Sequence, residues 1–173
     1  MACEILNGIV GVCAYSTSGV QKLWLANKAD VTGTTIYNGC DTLTGLTWAG
    51  GVTKVYEIQS ALDTITFTDD LQVNGSRRNF LQTINFALGS IDCTIFGTLE
   101  DIGLANLIAF VKLSDGTFRA FGLDSAGLRS TVMVDSSGTQ AGNDGNVSVT
   151  IAGTSLRKAV FVSSTYAATL GLT

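Results

Sequence analysis

The sequence contains no proline and no histidine among its 173 residues. Without histidine, the chain lacks the commonest general base and the commonest metal ligand, so neither a Ser-His-Asp nor a Cys-His catalytic site can form. It also contains neither a phosphate-binding loop motif nor a dinucleotide-binding fingerprint. Without proline, exposed edge strands lack one of the usual protections against pairing with another chain. These absences argue against an enzyme and favour pairing with other subunits.

Charged side chains are also scarce. They make up 14% of the residues, compared with roughly 25% in soluble domains. The net charge is −4, and the adjacent basic pairs are limited to Arg77-Arg78 and Arg157-Lys158, so the sequence has no basic stripe that would grip nucleic acid. A mild negative balance also weakens contact with phosphate backbones. A chain this apolar and lightly charged is expected to cover its surface by assembling with other chains.

The cysteines do not form a recognisable metal-binding pattern; they are Cys3, Cys13, Cys40 and Cys93. None forms a CxxC pair, and no histidine is present to complete a mixed zinc site. Glu4 stands where a secretion signal carries a basic residue, so we expect folding in a reducing cytosol with free thiols. The longest weakly polar stretch, residues 5–15, is about 11 residues long, too short for a membrane helix. We predict no cofactor, no metal and no membrane span.

Pairs of neighbouring carboxylates are the remaining candidates for acid–base chemistry. Asp69 and Asp70 are adjacent in a predicted strand, where successive side chains point to opposite faces. Glu100 and Asp101 suit the positive start of a predicted helix. Residues 135–146 are rich in side-chain oxygens but lack the spacing and the terminal glutamate of an EF-hand. No catalytic residue is therefore assigned.

A long amphipathic hairpin near the middle of the chain is the most informative pattern. Apolar residues alternate at 65, 67, 71 and 73 and again at 80, 84, 86 and 88, which is typical of two strands with one buried face. Asn74-Gly75 between them suits a two-residue type I′ turn. That turn predicts Ser76 opposite Val73 and Ile84 opposite Ile65. Both apolar faces then lie on the same side.

The opposite face of the hairpin is polar but almost uncharged. It is either an ordinary solvent-facing surface or a surface that touches another molecule without gripping it. The residues that we single out on this face are Thr64, Thr66, Thr68, Asp70, Gln72, Thr83 and Asn85.

Shorter alternating patterns predict the remaining elements. Strands are expected near the N-terminus within residues 1–15 and at residues 21–26, 54–62, 129–134, 147–151 and 156–163. Residues 27–51 are interpreted as loop with one short strand around Ile36. A second hairpin is centred on Asp115-Gly116. A helix is predicted over residues 99–108, with Thr98 as its cap. Together these elements predict a single mainly β domain over residues 1–173, a sandwich or barrel of antiparallel strands with one short flanking α-helix.

Several segments resemble the tail tube (major tail) proteins of tailed bacteriophages, especially those of phages with gut Bacteroides-type hosts. The similar segments span nearly the whole chain and also include Gly8-Ile9, Cys13 and Gly127-Leu128. The longest are Met-Ala-Cys at 1–3, Gly-Val-Gln-Lys-Leu-Trp-Leu at 19–25, Phe-Val-Lys-Leu-Ser-Asp-Gly at 110–116, Ala-Phe-Gly at 120–122, and Asp-Gly-Asn-Val-Ser-Val-Thr-Ile-Ala-Gly at 144–153.

The resemblance implies a structural virion protein, assembled in the host cytoplasm, whose subunits form rings, usually sixfold. The rings stack into a tube for transient, non-specific DNA passage, joined by other tail or neck proteins. The polar face of the hairpin would line the channel, with mild repulsion of DNA because Asp70 is its main charge. The candidate turn and inter-ring contact comprises Asn74, Gly75, Arg77 and Arg78.

Two other functions remain open from the sequence. The chain could be another phage particle component, namely a head decoration, tail-ring or adaptor protein. It could instead be a β-sandwich module that binds glycans or a host surface, using its glycine-rich loops together with Trp24 and Trp48.

Overall fold

Two β-sheets stacked on each other form most of the structure, which is a computed structural model. It describes residues 19–37, 41–51, 53–59, 64–75, 77–88, 93–124, 126–136 and 146–172. The predicted mainly β fold class is confirmed, and neither sheet closes into a barrel within these residues. The strand prediction within residues 1–15 lies outside the described residues, as do Cys3, Cys13 and Cys40.

The larger sheet has seven strands, in the order β2-β3-β11-β8-β7-β1-β4. Its pairs are antiparallel except for β11 and β3, which run parallel. Its strands are β1 (Val20–Asn27), β2 (Val31–Tyr37), β3 (Thr42–Trp48), β4 (Tyr56–Ile58), β7 (Leu107–Leu113), β8 (Phe118–Phe121) and β11 (Val160–Val162).

The smaller sheet has four strands, in the order β5-β6-β10-β9, and every pair in it is antiparallel. Its strands are β5 (Thr66–Asn74), β6 (Arg77–Leu88), β9 (Arg129–Ser136) and β10 (Asn146–Ser155). β9 and β10 join the central hairpin although a helix and two strands of the other sheet intervene along the chain. The hairpin predicted from sequence is therefore half of a larger sheet.

The main core lies between the two sheets. Ile84 and Phe86 from the smaller sheet and Phe121 from the larger one are at most 2% exposed there. A second cluster, including Trp24 and Phe110, covers the opposite face of the larger sheet. Because both faces of that sheet are covered, β7 reads as a continuous apolar run rather than as an alternating one.

Within the described residues, two α-helices complete the structure, one more than predicted, beside two 3-10 turns at Lys28–Asp30 and Ala49–Gly51. α1 (Cys93–Leu104) begins before the predicted residue 99 and ends before 108, so Thr98 lies inside the helix and does not cap it. Leu99 and Ile102 pack into the core between the sheets, and this burial outweighs the weak local helix signal. The helix ends early because Leu107 already pairs with Leu128 through two backbone hydrogen bonds of 2.7 and 2.8 Å.

α2 (Ser164–Thr169) follows the last strand directly. The Ser163 hydroxyl accepts a 3.2 Å hydrogen bond from the backbone N–H of Tyr166, which is an ordinary N-terminal cap. Ala167 and Leu170 pack against the second cluster of the larger sheet. The predicted strand over 156–163 is correspondingly shorter and is confined to Val160–Val162.

Other boundaries differ from the sequence prediction in the larger sheet. Residues 27–51 contain two paired strands, β2 and β3, rather than one, because their threonines favour strands although the segment lacks a strong apolar alternation. β4 is limited to three residues of the predicted 54–62 strand. The second hairpin is confirmed: Asp115 accepts 2.8 and 2.7 Å hydrogen bonds from Thr117, and Gly116 takes a positive φ of 82°.

Candidate functional site

The central hairpin forms as predicted, but its register differs by two residues. Ile84 lies opposite Phe67 rather than Ile65, and the strands pair as far as Asn74 opposite Arg77. The turn therefore begins at Gly75, whose φ is 61°, one residue later than predicted. The predicted pairing of Val73 with Ser76 is wrong, since Val73 lies opposite Arg78; Ser76 itself lies outside the described ranges. A shift of two residues keeps each side chain on its predicted face, so the assignment of the polar face is unaffected.

An interior polar pair explains the register. Asp69 and Gln82 face each other across the hairpin on its buried side. The Asp69 Oδ2 atom accepts a 2.9 Å hydrogen bond from the Ala159 N–H, and Gln82 Oε1 accepts one of 2.9 Å from the Gly122 N–H. Gln82 also donates a 3.2 Å bond to the Arg157 carbonyl. Asp69 Oδ1 is buried without a partner, so it is the three bonds at Asp69 Oδ2 and Gln82 that outweigh the turn preference of Asn74-Gly75.

The outer face of the smaller sheet brings the predicted polar residues together. On β5, Thr66, Thr68, Asp70 and Gln72 are exposed, whereas Thr83 and Asn85 on β6 are half-buried. Thr64 lies just before β5, where its hydroxyl donates to the Ala87 carbonyl and accepts from the Ala87 N–H, both at 3.3 Å. All seven residues singled out from the sequence therefore lie on or beside one surface.

β10 adds side chains to this face that the sequence prediction missed. Ser148, Thr150, Ala152 and Thr154 alternate with the buried residues of β10 and lie beside β6. The Thr150 hydroxyl donates a 2.7 Å hydrogen bond to Asn85 Oδ1, and Asn85 Nδ2 donates a 3.4 Å bond to Thr66. The alternation of residues 147–151 could have indicated these side chains, but only with the strand order known.

The outer face carries little charge. By strand alternation, Asp70 and Arg77 are the charged side chains on the outer face of β5, β6 and β10 within the described residues. Arg77 lies at the turn end of the hairpin, away from the rows formed by the threonines. The rest of these three strands presents hydroxyl, amide and apolar groups, the largest of them Leu81, and on β9 the exposed Arg129 pairs with Ala152 at the start of the strand.

The two edge strands of the smaller sheet, β5 and β9, are open along their outer sides within the described part of the chain. β9 carries three successive apolar side chains that are exposed: Val132 by 49%, Met133 by 38% and Val134 by 51%. Alternation places Met133 on the opposite face from the two valines. An edge strand that exposes apolar groups on both faces is prone to pair with another strand.

The hairpin extends beyond the rest of its sheet. β10 pairs with β6 as far as Ser155 opposite Phe80, so the hairpin beyond that row projects as two strands. We call this projecting part, together with the row at its base in which Leu71 pairs with Phe80, the hairpin arm; its described residues are 71–75 and 77–80. Leu71 and Val73 on its inner side are 54% and 62% exposed. Arg78 pairs with Val73 and shares that inner side, whereas Arg77 lies on the outer side.

The tryptophans assigned to a glycan-binding module do not both suit that role. Trp24 is 3% exposed and packs against Phe118, with 6.1 Å between ring centroids, so it offers no surface to a ligand. Trp48 is half-buried beside the same cluster. The glycine-rich residues 137–145 lie outside the described ranges.

Two further findings concern ligands and membranes. Within the described residues, no group of three or more histidine, cysteine, aspartate or glutamate side chains is placed to hold a metal ion. The helices of the described ranges are also too short or too polar to cross a membrane.

Comparison with known proteins gave no match: no protein-family model, no curated protein and no solved structure is significantly similar to this chain. Function is therefore inferred from the residues and the geometry described above.

Proposed function

We propose that the chain is a structural protein of a phage tail with no enzymatic role. Its subunits join edge to edge into rings, and the rings stack into a tube for DNA. The observation that carries this proposal is the pair of open edges on the smaller sheet, one of which exposes Val132, Met133 and Val134. The sequence resemblance supplies the kind of assembly, and the geometry supports it in three ways.

First, the edges are compatible with a ring. Four antiparallel strands in a row leave β5 and β9 running in opposite directions. Copies related by rotation about an axis along the strands then present β9 of one subunit to β5 of the next in antiparallel orientation. A closed ring joins these edges throughout and leaves no free edge in the barrel. Barrels of roughly 16–18 strands already enclose an aqueous channel, and six copies of a four-stranded sheet exceed that number.

Second, the outer face of the smaller sheet, which is free to line the channel, has the chemistry that suits DNA passage. The inner face of the smaller sheet is buried against the larger sheet, so the outer face with Thr66, Thr68 and Thr83 is available to line the lumen. A protein binds DNA largely by neutralising phosphates with lysine and arginine. Hydroxyl and amide groups avoid that attraction, and Asp70 is a single negative charge among them.

Third, the hairpin arm projects along the strand direction, which becomes the direction of the tube. The end of the arm, with Asn74, Gly75 and Arg77, then meets the next ring, whereas Arg78 lies on the inner side of the arm. Other tail or neck proteins then bind the free ends of the tube. The protein is made in the host cytoplasm and ends in the virion tail.

Light scattering and negative-stain microscopy of the purified protein test the proposal. We expect rings and hollow tubes, with a mass that is a multiple of the subunit mass. Rings that never stack under any condition would favour the second candidate, a tail-ring or adaptor protein, which the same open edges support. A monomer at all concentrations contradicts both.

A further inference from the structure

A cleft on the larger sheet lies between α1 and the short edge strand β4. It has a volume of about 350 Å³, and its apolar walls include Ile58, Ile102 and Ala105. Tyr56, which is 56% exposed, and Asp101 are also part of the lining. The cleft is therefore apolar with one carboxylate at its side.

The inner side of the hairpin arm has the complementary chemistry. Leu71 and Val73 are both more than half exposed there, beside Arg78. Within the described residues, neither Arg78 nor Asp101 takes part in an ion pair. Two exposed apolar groups next to a cation on the arm thus match an apolar cleft with a carboxylate.

In the proposed ring, the strand registers bring the hairpin arm of one subunit near the cleft of the next subunit. Arg129, the first residue of β9, pairs with Ala152. Ala152 pairs with Thr83, which in turn pairs with Thr68 of β5. If β5 of a neighbouring subunit lies against β9 at the same level, its residues beyond Thr68 extend past the start of β9. Those residues lead into the hairpin arm.

In this arrangement, the arm of the neighbouring subunit reaches the end of β9 beside which the cleft lies. Leu107 lines the cleft and pairs with Leu128, the residue directly before β9. The cleft belongs to the inner layer, built from the larger sheet and α1, and the arm turns Leu71 and Val73 toward that same layer. The apolar side of the arm therefore faces the cleft of the neighbour.

We infer that the hairpin arm of each subunit docks into the cleft between α1 and β4 of the next subunit in the ring. Leu71 and Val73 fill the apolar part, and Arg78 pairs with Asp101. This inference rests on the proposed ring and names the second contact that closes each joint, in addition to the strand pairing of β5 with β9.

Charge reversal tests the contact. In Arg78→Glu the arm carries a carboxylate toward Asp101, and in Asp101→Arg the cleft repels Arg78. Each single variant is expected to need about tenfold more protein than the wild type to form rings, measured by sedimentation velocity. The double variant, with both charges exchanged, restores the attraction and should form rings near the wild-type concentration. Glu100→Arg, at an exposed neighbour of Asp101 on α1 that does not line the cleft, is the matched control and should leave ring formation unchanged.

The outcomes separate the docking contact from the ring itself. Wild-type rings together with single variants that assemble like the wild type overturn the docking contact and leave the ring proposal intact. Single variants that fail without rescue in the double variant also overturn the contact, since repulsion is then not the cause. A wild-type protein that forms no rings overturns the ring proposal and this contact with it. Circular dichroism of each variant confirms that the subunit is folded.

Discussion

The two sheets differ in how completely the subunit covers them. The larger sheet is covered on both faces, and Ile108, Ala109 and Phe110 of its strand β7 are fully buried. The smaller sheet is covered on one face, and its edge strands β5 and β9 expose apolar side chains. The difference separates two tasks: the larger sheet holds the subunit together, and the smaller sheet is left open to other copies.

A charge placed on β9 should have the largest effect on assembly, because it acts on the open edge of the smaller sheet. Met133→Asp puts a carboxylate on the inner side of the proposed joint, where it loses water once β5 of a neighbour pairs and packs beside it. We expect complete loss of rings by light scattering, with the free energy of unfolding of the subunit changed by less than about 1 kcal/mol because Met133 is 38% exposed in the subunit.

Leu156→Asp is the control for that experiment. Leu156 is 75% exposed but lies after β10 rather than on an edge strand. Its replacement should leave assembly unchanged. Equal loss of rings in both variants would mean that general surface charge, rather than the edge, governs assembly.

Truncation of a core side chain should have the opposite effect: it should lower the stability of the subunit itself. Phe121 is fully buried between the sheets and contacts Phe67 with 5.1 Å between ring centroids. Phe121→Ala removes this packing and is expected to lower the free energy of unfolding by about 3–5 kcal/mol, measured by urea denaturation. Thr68→Ala, on the exposed outer face, should change it by less than about 0.5 kcal/mol. Similar effects at both positions would contradict the assignment of faces.

The interior polar pair offers a smaller effect that tests the hairpin register. Gln82→Leu keeps the side chain's bulk but leaves the Gly122 N–H without its partner, while the Arg157 carbonyl keeps its 2.7 Å bond from the Ser155 hydroxyl. We expect a loss of about 1–3 kcal/mol in the free energy of unfolding. Gln72→Leu, on the exposed outer face of β5, is the matched control. No loss in Gln82→Leu would show that these bonds do not fix the register.

Lysines on the outer face should have the smallest effect on the subunit and a specific effect on DNA. Thr66→Lys with Thr83→Lys is expected to fold and assemble, with the free energy of unfolding changed by less than about 0.5 kcal/mol. Tubes assembled with a fluorescent DNA oligonucleotide should then retain it at low salt and release it as salt is raised. If the two positions prove to be covered by another subunit, or if the tubes retain no DNA, the face does not line the channel.

Local patterns in the sequence predicted which face of a strand is buried better than they predicted the register of the strands or which strands pair. The period of two in the hairpin identified the buried and polar sides correctly. Its register was wrong by two residues because Asp69 and Gln82 find their partners on distant backbone, at Ala159 and Gly122. No local turn preference contains that information.

The composition of the candidate site could not be predicted in full for a related reason. Thr150 and its neighbours on β10 join the outer face because β10 pairs with β6, which lies more than 60 residues away in the chain. The exposed edge at Val132 and the overhang of the hairpin arm likewise follow from strand order. Strand order depends on which apolar faces pack together across the whole chain, and a single sequence does not show this.

The direct test of the central claim is electron cryomicroscopy of the assembled protein at a resolution that traces the strands. We predict that β9 of each subunit pairs antiparallel with β5 of the next, in a closed ring whose inner wall carries Thr66, Thr68 and Thr83. Assemblies in which β5 pairs with β5 of a twofold-related copy, or in which the smaller sheet faces outward, would contradict the proposal.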